Sequence, residues 1–290
     1  MSDIQNKTVL MSDANYFGDY DAINAHMDSH VPVDVDKAKA EHQSIMQALQ
    51  SVGVRVIQVP SPKDCQDGVY TANWALCRGN KALLSALPNT RQPETPYAEQ
   101  ILKAQGKEIL RLPDGMKFSG QGDALPCGNL LFTGSNYRTD FAAHKHIGKL
   151  LDFEVISLQT IPKRSLWGWG KRIINPVTGW PDSYYYDIDL ALAVLSPELI
   201  AYCPEAFVPS SRKILEALPI QKIKVSRSEA TNGFACNLVS TGGAVVMSAH
   251  APKLKAAIEA YGLKTLTPNV TELGKGGGYI RCTTLTLDNN

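Results

Sequence analysis

The 290-residue chain has almost no excess charge: 29 Lys and Arg stand against 28 Asp and Glu, a formal net charge of +1. Without a basic surplus or stripe it does not read as a nucleic-acid binder or a membrane-surface protein. No apolar run approaches the ~20 residues needed to cross a bilayer, and Met1 to Thr8 lacks the hydrophobic core of a secretory signal. A cytoplasmic location is therefore expected. The six cysteines, Cys65, Cys77, Cys127, Cys203, Cys236 and Cys282, show neither CxxC pairs nor dense spacing. That argues against structural zinc and against a disulfide framework. No GxGxxG joins a strand to a helix, and the six histidines show no metal-site spacing with carboxylates. The expected cofactor is none, and the expected partner is a small molecule.

What the chain does contain is a repeat. Five times an amphipathic, helix-like stretch runs through a turn into a short β-like run: from His42, Ala98, Ala142, Ser211 and Lys253. In the first, Ala38, Ile45, Leu49 and Val52 recur at helical spacing, and Gly53 supplies a residue free to take positive φ at the helix end. Pro96 and Pro252 fall where a first-turn proline is tolerated. Between these stretches lie paired apolar runs with turn residues at Gly79-Asn80, Gly128-Asn129, Ser196-Pro197 and Gly242-Gly243, which read as β-hairpins. A fifth pair is split, with CTTLTL near the C-terminus and TVLMS near the N-terminus. Pairing the two closes a ring. A period of roughly 50 residues falls in the range of repeat arrays and propellers, and the alternative is an open α/β sheet with recurrent helix-to-strand joins.

In a ring, the segments just before each hairpin converge on the middle. They read DGVYTANW, FSGQGDAL, YYYDIDLAL, TNGFACN and GGGYIRCTT, and they place Asn73, Asp123, Asp187, Asp189, Asn232 and Cys282 at the hub. One unit is longer than the rest. Pro162 to Ser183 intrudes with three of the four tryptophans, a long basic and aromatic loop that reads as a lid or as the contact of a homodimer.

These residues carry a resemblance. NYFGDYDAIN, DGVYTANWAL, FSGQGDAL, FTGSNYRTD, DLALAVL with PEAF, CNLVSTG and above all GGGYIRCTTLTL are similar to the amidinotransferase and dimethylarginine dimethylaminohydrolase group of guanidine-modifying enzymes. The group is related to arginine deiminase and built on the five-bladed α/β propeller called the pentein fold. The likeness spans nearly the whole chain and implies one catalytic domain over residues 1–290. It also implies a small guanidino or amidino substrate, amino-acid-like in form, and a nucleophilic cysteine after the glycine run, at Cys282. The other five cysteines are expected to be buried thiols.

A guanidinium carbon is resonance-stabilised and resists water. A thiolate, more nucleophilic near neutral pH, divides the substitution into two steps through a covalent intermediate. Arg281 or a cationic substrate could lower the thiol pKa. By resemblance, Asn73 stands where relatives often carry a carboxylate, Asp123 matches an acidic residue after the glycines, and Arg91 and Arg138 match arginines that hold a substrate carboxylate. Solvated arginine remains the plain alternative for both, and loop capping for Asp123. Two positions depart from the pattern together. The stretch that reads H-L-D in relatives is Asp187-Ile188-Asp189 here, and the acid that orients the relatives' histidine is Ser119. Asp187 thus becomes the candidate proton donor or cation binder, with Asp189 as its carboxyl neighbour. The expected reaction is hydrolysis of a non-peptide C–N bond, with amidino transfer or ligand binding without turnover as alternatives.

Overall fold

The computed structural model describes residues 5–18, 20–165 and 170–289. Each of the five helix-to-strand joins is formed as the pattern requires. Helix α1 (Val35–Ser51) starts at Asp34, whose carboxylate accepts from the Lys37 amide, and buries Ala38, Ile45 and Leu49 on one face. A side chain of that kind contributes roughly 1.5–3 kcal/mol when fully buried. Gly53 turns the chain at φ +86° into β2 (Arg55–Gln58). Strand β2 pairs in parallel with β1 (Thr8–Met11), which pairs antiparallel with β15 (Leu285–Thr286). The two ends of the chain therefore share one sheet.

The other four sheets repeat that plan without the break. Strands β3 (Ala75–Arg78) and β4 (Lys81–Leu84) form a hairpin, α2 (Glu94–Ala104) crosses over, and β5 (Glu108–Leu110) adds in parallel to β4. The next unit uses β6 (Ala124–Cys127), β7 (Leu130–Thr133), α3 (Ala143–Leu151) and β8 (Glu154–Ser157). Then come β9 (Leu192–Ser196), β10 (Leu199–Tyr202), α4 (Pro209–Ala217) and β11 (Gln221–Lys224). After α5 (Arg227–Asn232) the last unit holds β12 (Val239–Ser240), β13 (Ala244–Val246), α6 (Pro252–Ala260) and β14 (Lys264–Leu266). A short α7 (Glu272–Lys275) precedes β15. Pro252 opens α6, and Pro96 lies in the first turn of α2, where a missing N–H costs nothing.

The result is five three-stranded sheets arranged as a propeller whose first and last units are stitched together. The Gln5 amide donates to the Thr241 carbonyl, and Asn6 Nδ2 donates to the Ser240 carbonyl at 2.8 Å. First strands of neighbouring units touch one another, β15 with β3, β6 with β9 and β9 with β12, and the short segments entering them meet at the hub.

The long loop can be followed in part. Trp167 and Trp169 lie outside the described residues. Trp180 stacks under the Lys117 ammonium at 4.7 Å, Asn175 Nδ2 donates to the Ala22 carbonyl at 2.9 Å, and Lys163 sits over the Tyr184 ring. The described part of the insertion thus packs on the chain itself, near the N-terminus at Ala22 and on Lys117. Among the described residues no helix is long and apolar enough to cross a membrane, and no cluster of His, Cys, Asp or Glu could hold a metal ion.

Candidate active site

The glycines of the hub motifs are there because other groups come too close for a side chain. A Cβ on Gly122 would lie 2.5 Å from Asn73 Nδ2 and 2.7 Å from Asp187 Oδ2. The run before Cys282 wraps Tyr70 and Asn24 in the same way: Gly277 takes φ +84°, and a Cβ there would meet the Asn24 amide. Tyr70 is anchored by its hydroxyl donating to the Leu273 carbonyl at 2.6 Å. The Cys282 carbonyl then accepts from the Ala72 amide at 3.0 Å, tying the cysteine turn to the TANW turn.

Cys282 is 2% exposed, yet polar groups flank its sulfur. The thiol donates to Asp189 Oδ2 at 3.3 Å, and Asn237 Nδ2 donates to Sγ at 3.1 Å. Asn237 also accepts from the Cys282 amide through Oδ1 at 3.1 Å, so one side chain fixes both the backbone and the sulfur. Asp187 Oδ2 accepts from Asn73 Nδ2 at 2.8 Å and lies 3.8 Å from Arg138 Nη1. Among the described residues Asp187 Oδ1 and Asp189 Oδ1 have no hydrogen-bond partner. Buried carboxyl oxygens are normally satisfied, so these two mark where a ligand or solvent group belongs.

The electrostatics follow from burial and crowding. Burial pushes the Cys282 thiol well above the usual range, and the Asp189 charge adds to it. Burial, reinforced by Asp187, pushes Asp189 up to about 8. Asp187 is raised by burial while the Arg138 guanidinium opposes the shift. Asp123 rises well above the carboxylate range through burial and the nearby Asp187. Burial and crowding thus favour the thiol form of Cys282 and the protonated forms of Asp189 and Asp123, a balance that an incoming cation shifts toward the anions.

The hub therefore brings together Cys282, Asp187, Asp189, Asn73, Asp123, Arg138 and Arg91, but not all in the same capacity. Arg91 does not hold out a fork for a substrate. Its Nε and Nη2 donate to the two carboxylate oxygens of Glu94 at 2.8 Å each, and Nη1 donates to Asn73 Oδ1 at 2.8 Å. The expected carboxylate contact is replaced by a buried ion pair that turns the Asn73 amide nitrogen toward Asp187. Asp123 Oδ1 accepts from the Ile188 amide at 3.0 Å and so caps the Asp187–Asp189 turn. Arg138 is different: its guanidinium stacks 4.0 Å over the Tyr186 ring and makes only a 3.5 Å bond to the Ile23 carbonyl.

Asn232 is a correction. It ends α5 and is exposed, because the chain must still pass Gly233 and Phe234, the latter at φ +49°, before it reaches the hub. Asn237, in the same TNGFACN segment, takes the inward place. Its signal was its position: it stands immediately before the Leu238-Val239 run, as Asn73 stands before the Ala75 strand. Ser119 lies beside Asn73, accepting from Nδ2 through both its carbonyl and its hydroxyl at 3.0 Å. His144, on the helix after Arg138, is occupied elsewhere: its ring nitrogens meet Ser157 Oγ at 2.7 Å and the Gly134 carbonyl at 2.8 Å.

Comparison with known proteins adds an independent line. The profile of a family described as N,N dimethylarginine dimethylhydrolase, eukaryotic, matches residues 17–288. The chain is 31% identical over 268 residues to the N(G),N(G)-dimethylarginine dimethylaminohydrolase of Mycobacterium tuberculosis, covering 92% of this chain and 81% of that one. It is 30% identical over 277 residues to the bifunctional arginine dihydrolase/ornithine cyclodeaminase AgrE of Nostoc sp., covering 93% of this chain but 36% of AgrE. The chain thus spans about a third of the length of such bifunctional relatives. The crystal structure of the N-terminal domain of ArgZ bound to product, an arginine dihydrolase from cyanobacteria, superposes with a TM-score of 0.86. Its identity is 28%, and the match covers 97% of both chains.

Proposed function

The chain belongs to the N,N-dimethylarginine dimethylhydrolase family, and we propose that it hydrolyses a non-peptide C–N bond in the guanidino group of a small amino acid, an arginine or a methylated arginine. Residues 1–290 act as one catalytic unit, with Cys282 as nucleophile and Asp187 as proton donor. The observation that carries this reading is the Cys282 thiol, 3.3 Å from Asp189 Oδ2, inside a buried carboxyl cluster with two oxygens that have no partner among the described residues. A planar cation bearing several N–H donors is what such a cluster lacks. The names of the relatives point to the same substrate class, and six free cysteines suit a reducing, cytoplasmic setting.

The steps balance on these residues. Binding of the guanidinium between Asp187 and Asp189, with the amino-acid carboxylate on Arg138, lowers the cost of ionising Cys282 and Asp189, whose protons go to solvent as the cation enters and return when the product leaves. The thiolate attacks the central carbon, forming a C–S bond. As the C–N bond breaks, a carboxyl proton passes from Asp187 to the departing nitrogen, which leaves as ammonia or a methylamine. The remaining amidino group stays on sulfur as a cation. Water then forms a C–O bond, its proton goes to a carboxylate, the C–S bond breaks, and a ureido product leaves the thiolate restored. The last proton is taken up by the released amine.

Intact-mass analysis after incubation with L-arginine and methylated arginines tests this reading. The wild-type chain should show an adduct on Cys282 and form a ureido product, while Cys282→Ser should lose turnover by on the order of 10³-fold or more. Full turnover by Cys282→Ser would end the covalent reading. Reversible binding with neither adduct nor product would make the chain a ligand-binding protein.

A further inference from the structure

Asp189 has a second face. Besides touching Cys282 Sγ, it lines a cavity of about 220 Å³ that Cys282, Asn73, Asp187 and Arg138 do not line, so Asp189 stands between the cavity and the sulfur. The cavity follows the inner strand of one hairpin, past Leu192 and Val194 to Pro197 at its tip. On the facing hairpin it passes Leu125 and Pro126 and reaches Gly128. Polar groups are placed along it, with Arg281 beside Asp189 and Asn6 and Asp288 from the two ends of the chain. A water molecule takes about 30 Å³ of liquid volume and needs two to four polar partners, so the cavity has room and anchors for several.

The reaction creates a need for such a route. Once the amidino group is on sulfur, the rest of the substrate still occupies the side of the hub where Arg138 holds its carboxylate. That body stands between the reacting carbon and any water arriving from the same side. We propose that the cavity behind Asp189 is the entrance through which the hydrolytic water reaches the carbon bound to Cys282, and that Asp189 takes the water's proton. The proposal rests on the hydrolase reading above. Asp189 is suited to the task by its position: it lines the cavity, and its Oδ2 is in contact with the sulfur. Water adds to the amidino carbon, one of its protons passes to the Asp189 carboxylate and on to Asp187, which gave one up in the first half, the other leaves with the released amine, and the C–S bond electrons return to Cys282 as the ureido product forms.

Val194 lines the cavity and is only partly buried, so it can be enlarged without overfilling the core. Val194→Trp blocks the passage and Val194→Ala widens it. With L-arginine as probe, rapid-quench mass spectrometry separates formation of the Cys282 adduct from its breakdown. The expected result is adduct formation within about 3-fold of wild type in both variants. Breakdown should slow by about 10-fold or more in Val194→Trp alone, so that adduct accumulates at steady state. Should Val194→Trp fail to fold, Pro126→Phe fills the same space from the facing strand, and the same split is expected. Unchanged breakdown in a folded, plugged chain overturns the passage alone, as does equal slowing of both steps. A wild-type chain that forms no adduct with L-arginine or methylated arginines overturns the hydrolase reading, and the passage with it.

Discussion

Two buried arginines in one hub are handled in opposite ways. Arg91 spends its donors on Glu94, Asn73 and the carbonyls of Asp67 and Tyr70, and Glu94 is completed by the Trp74 indole N–H at 3.0 Å. Arg138 has an aromatic face, a long bond to a carbonyl and a carboxylate 3.8 Å away. Both are nearly inaccessible, so burial does not distinguish them. Satisfaction does. A saturated ion pair builds a wall, and a charge left with unused donors is available to a ligand. The carboxyl groups divide in the same way: Asp123 is used up on the Ile188 amide, while among the described residues Asp187 and Asp189 each keep an oxygen without a partner.

Four substitutions would break or sharpen this contrast. The largest effect should come from Asp187→Asn, which keeps the shape of the side chain but removes the proton to be donated. We expect turnover to fall by about 10²–10⁴-fold, the usual weight of a general acid, with KM for L-arginine changed far less. Steady-state kinetics check this, and a variant retaining more than half of the wild-type rate would remove Asp187 from proton transfer.

Next in size is the pair Arg91→Met and Arg138→Met. The first leaves Glu94 buried and uncompensated, which should cost about 3–5 kcal/mol of stability. The second leaves a carboxyl that burial already pushes toward its neutral form, so it should cost less stability than the first while raising KM for substrates that carry a carboxylate. Urea unfolding with matched kinetics gives both numbers, and equal losses of stability would erase the distinction drawn here.

The smallest effect is the pH dependence of Asp189→Asn. The Asp189 carboxyl is raised from 3.8 to about 8 in the folded chain, so between those values the native state binds a proton that the unfolded state has released. Stability therefore falls as pH rises through that window, and the penalty is complete above it. Replacing Asp189 with Asn removes the penalty. The melting temperature should rise by about a few degrees near pH 9, with the gain shrinking toward pH 4. A gain that is flat with pH would place the proton on another group.

Much of the architecture was legible because it is local. The helical spacing of Ala38, Ile45 and Leu49, the glycine at position 53, and turn pairs such as Gly128-Asn129 each act within a few residues, and their recurrence made the ring readable. The hub was legible in outline because its members precede hairpin strands. Arg91 and Asn232 were misplaced for one reason: neither role is local. Whether Arg91 faces a ligand depends on Glu94 closing on it across a turn, and whether an asparagine in TNGFACN points inward depends on the backbone bend at Phe234.

The amino-acid order alone determined the five repeated units, the fold they build and the presence of one cysteine after a glycine run, since periodicity and turn chemistry need no distant partner. Only the tertiary structure decided which polar side chains are exhausted and which keep bonding capacity. It also decided that Asn237 holds the thiol and that a cavity opens behind Asp189. Those outcomes are set by groups far apart in sequence competing for the same few hydrogen bonds in a space closed to bulk water. The competition has no result until the ring is shut.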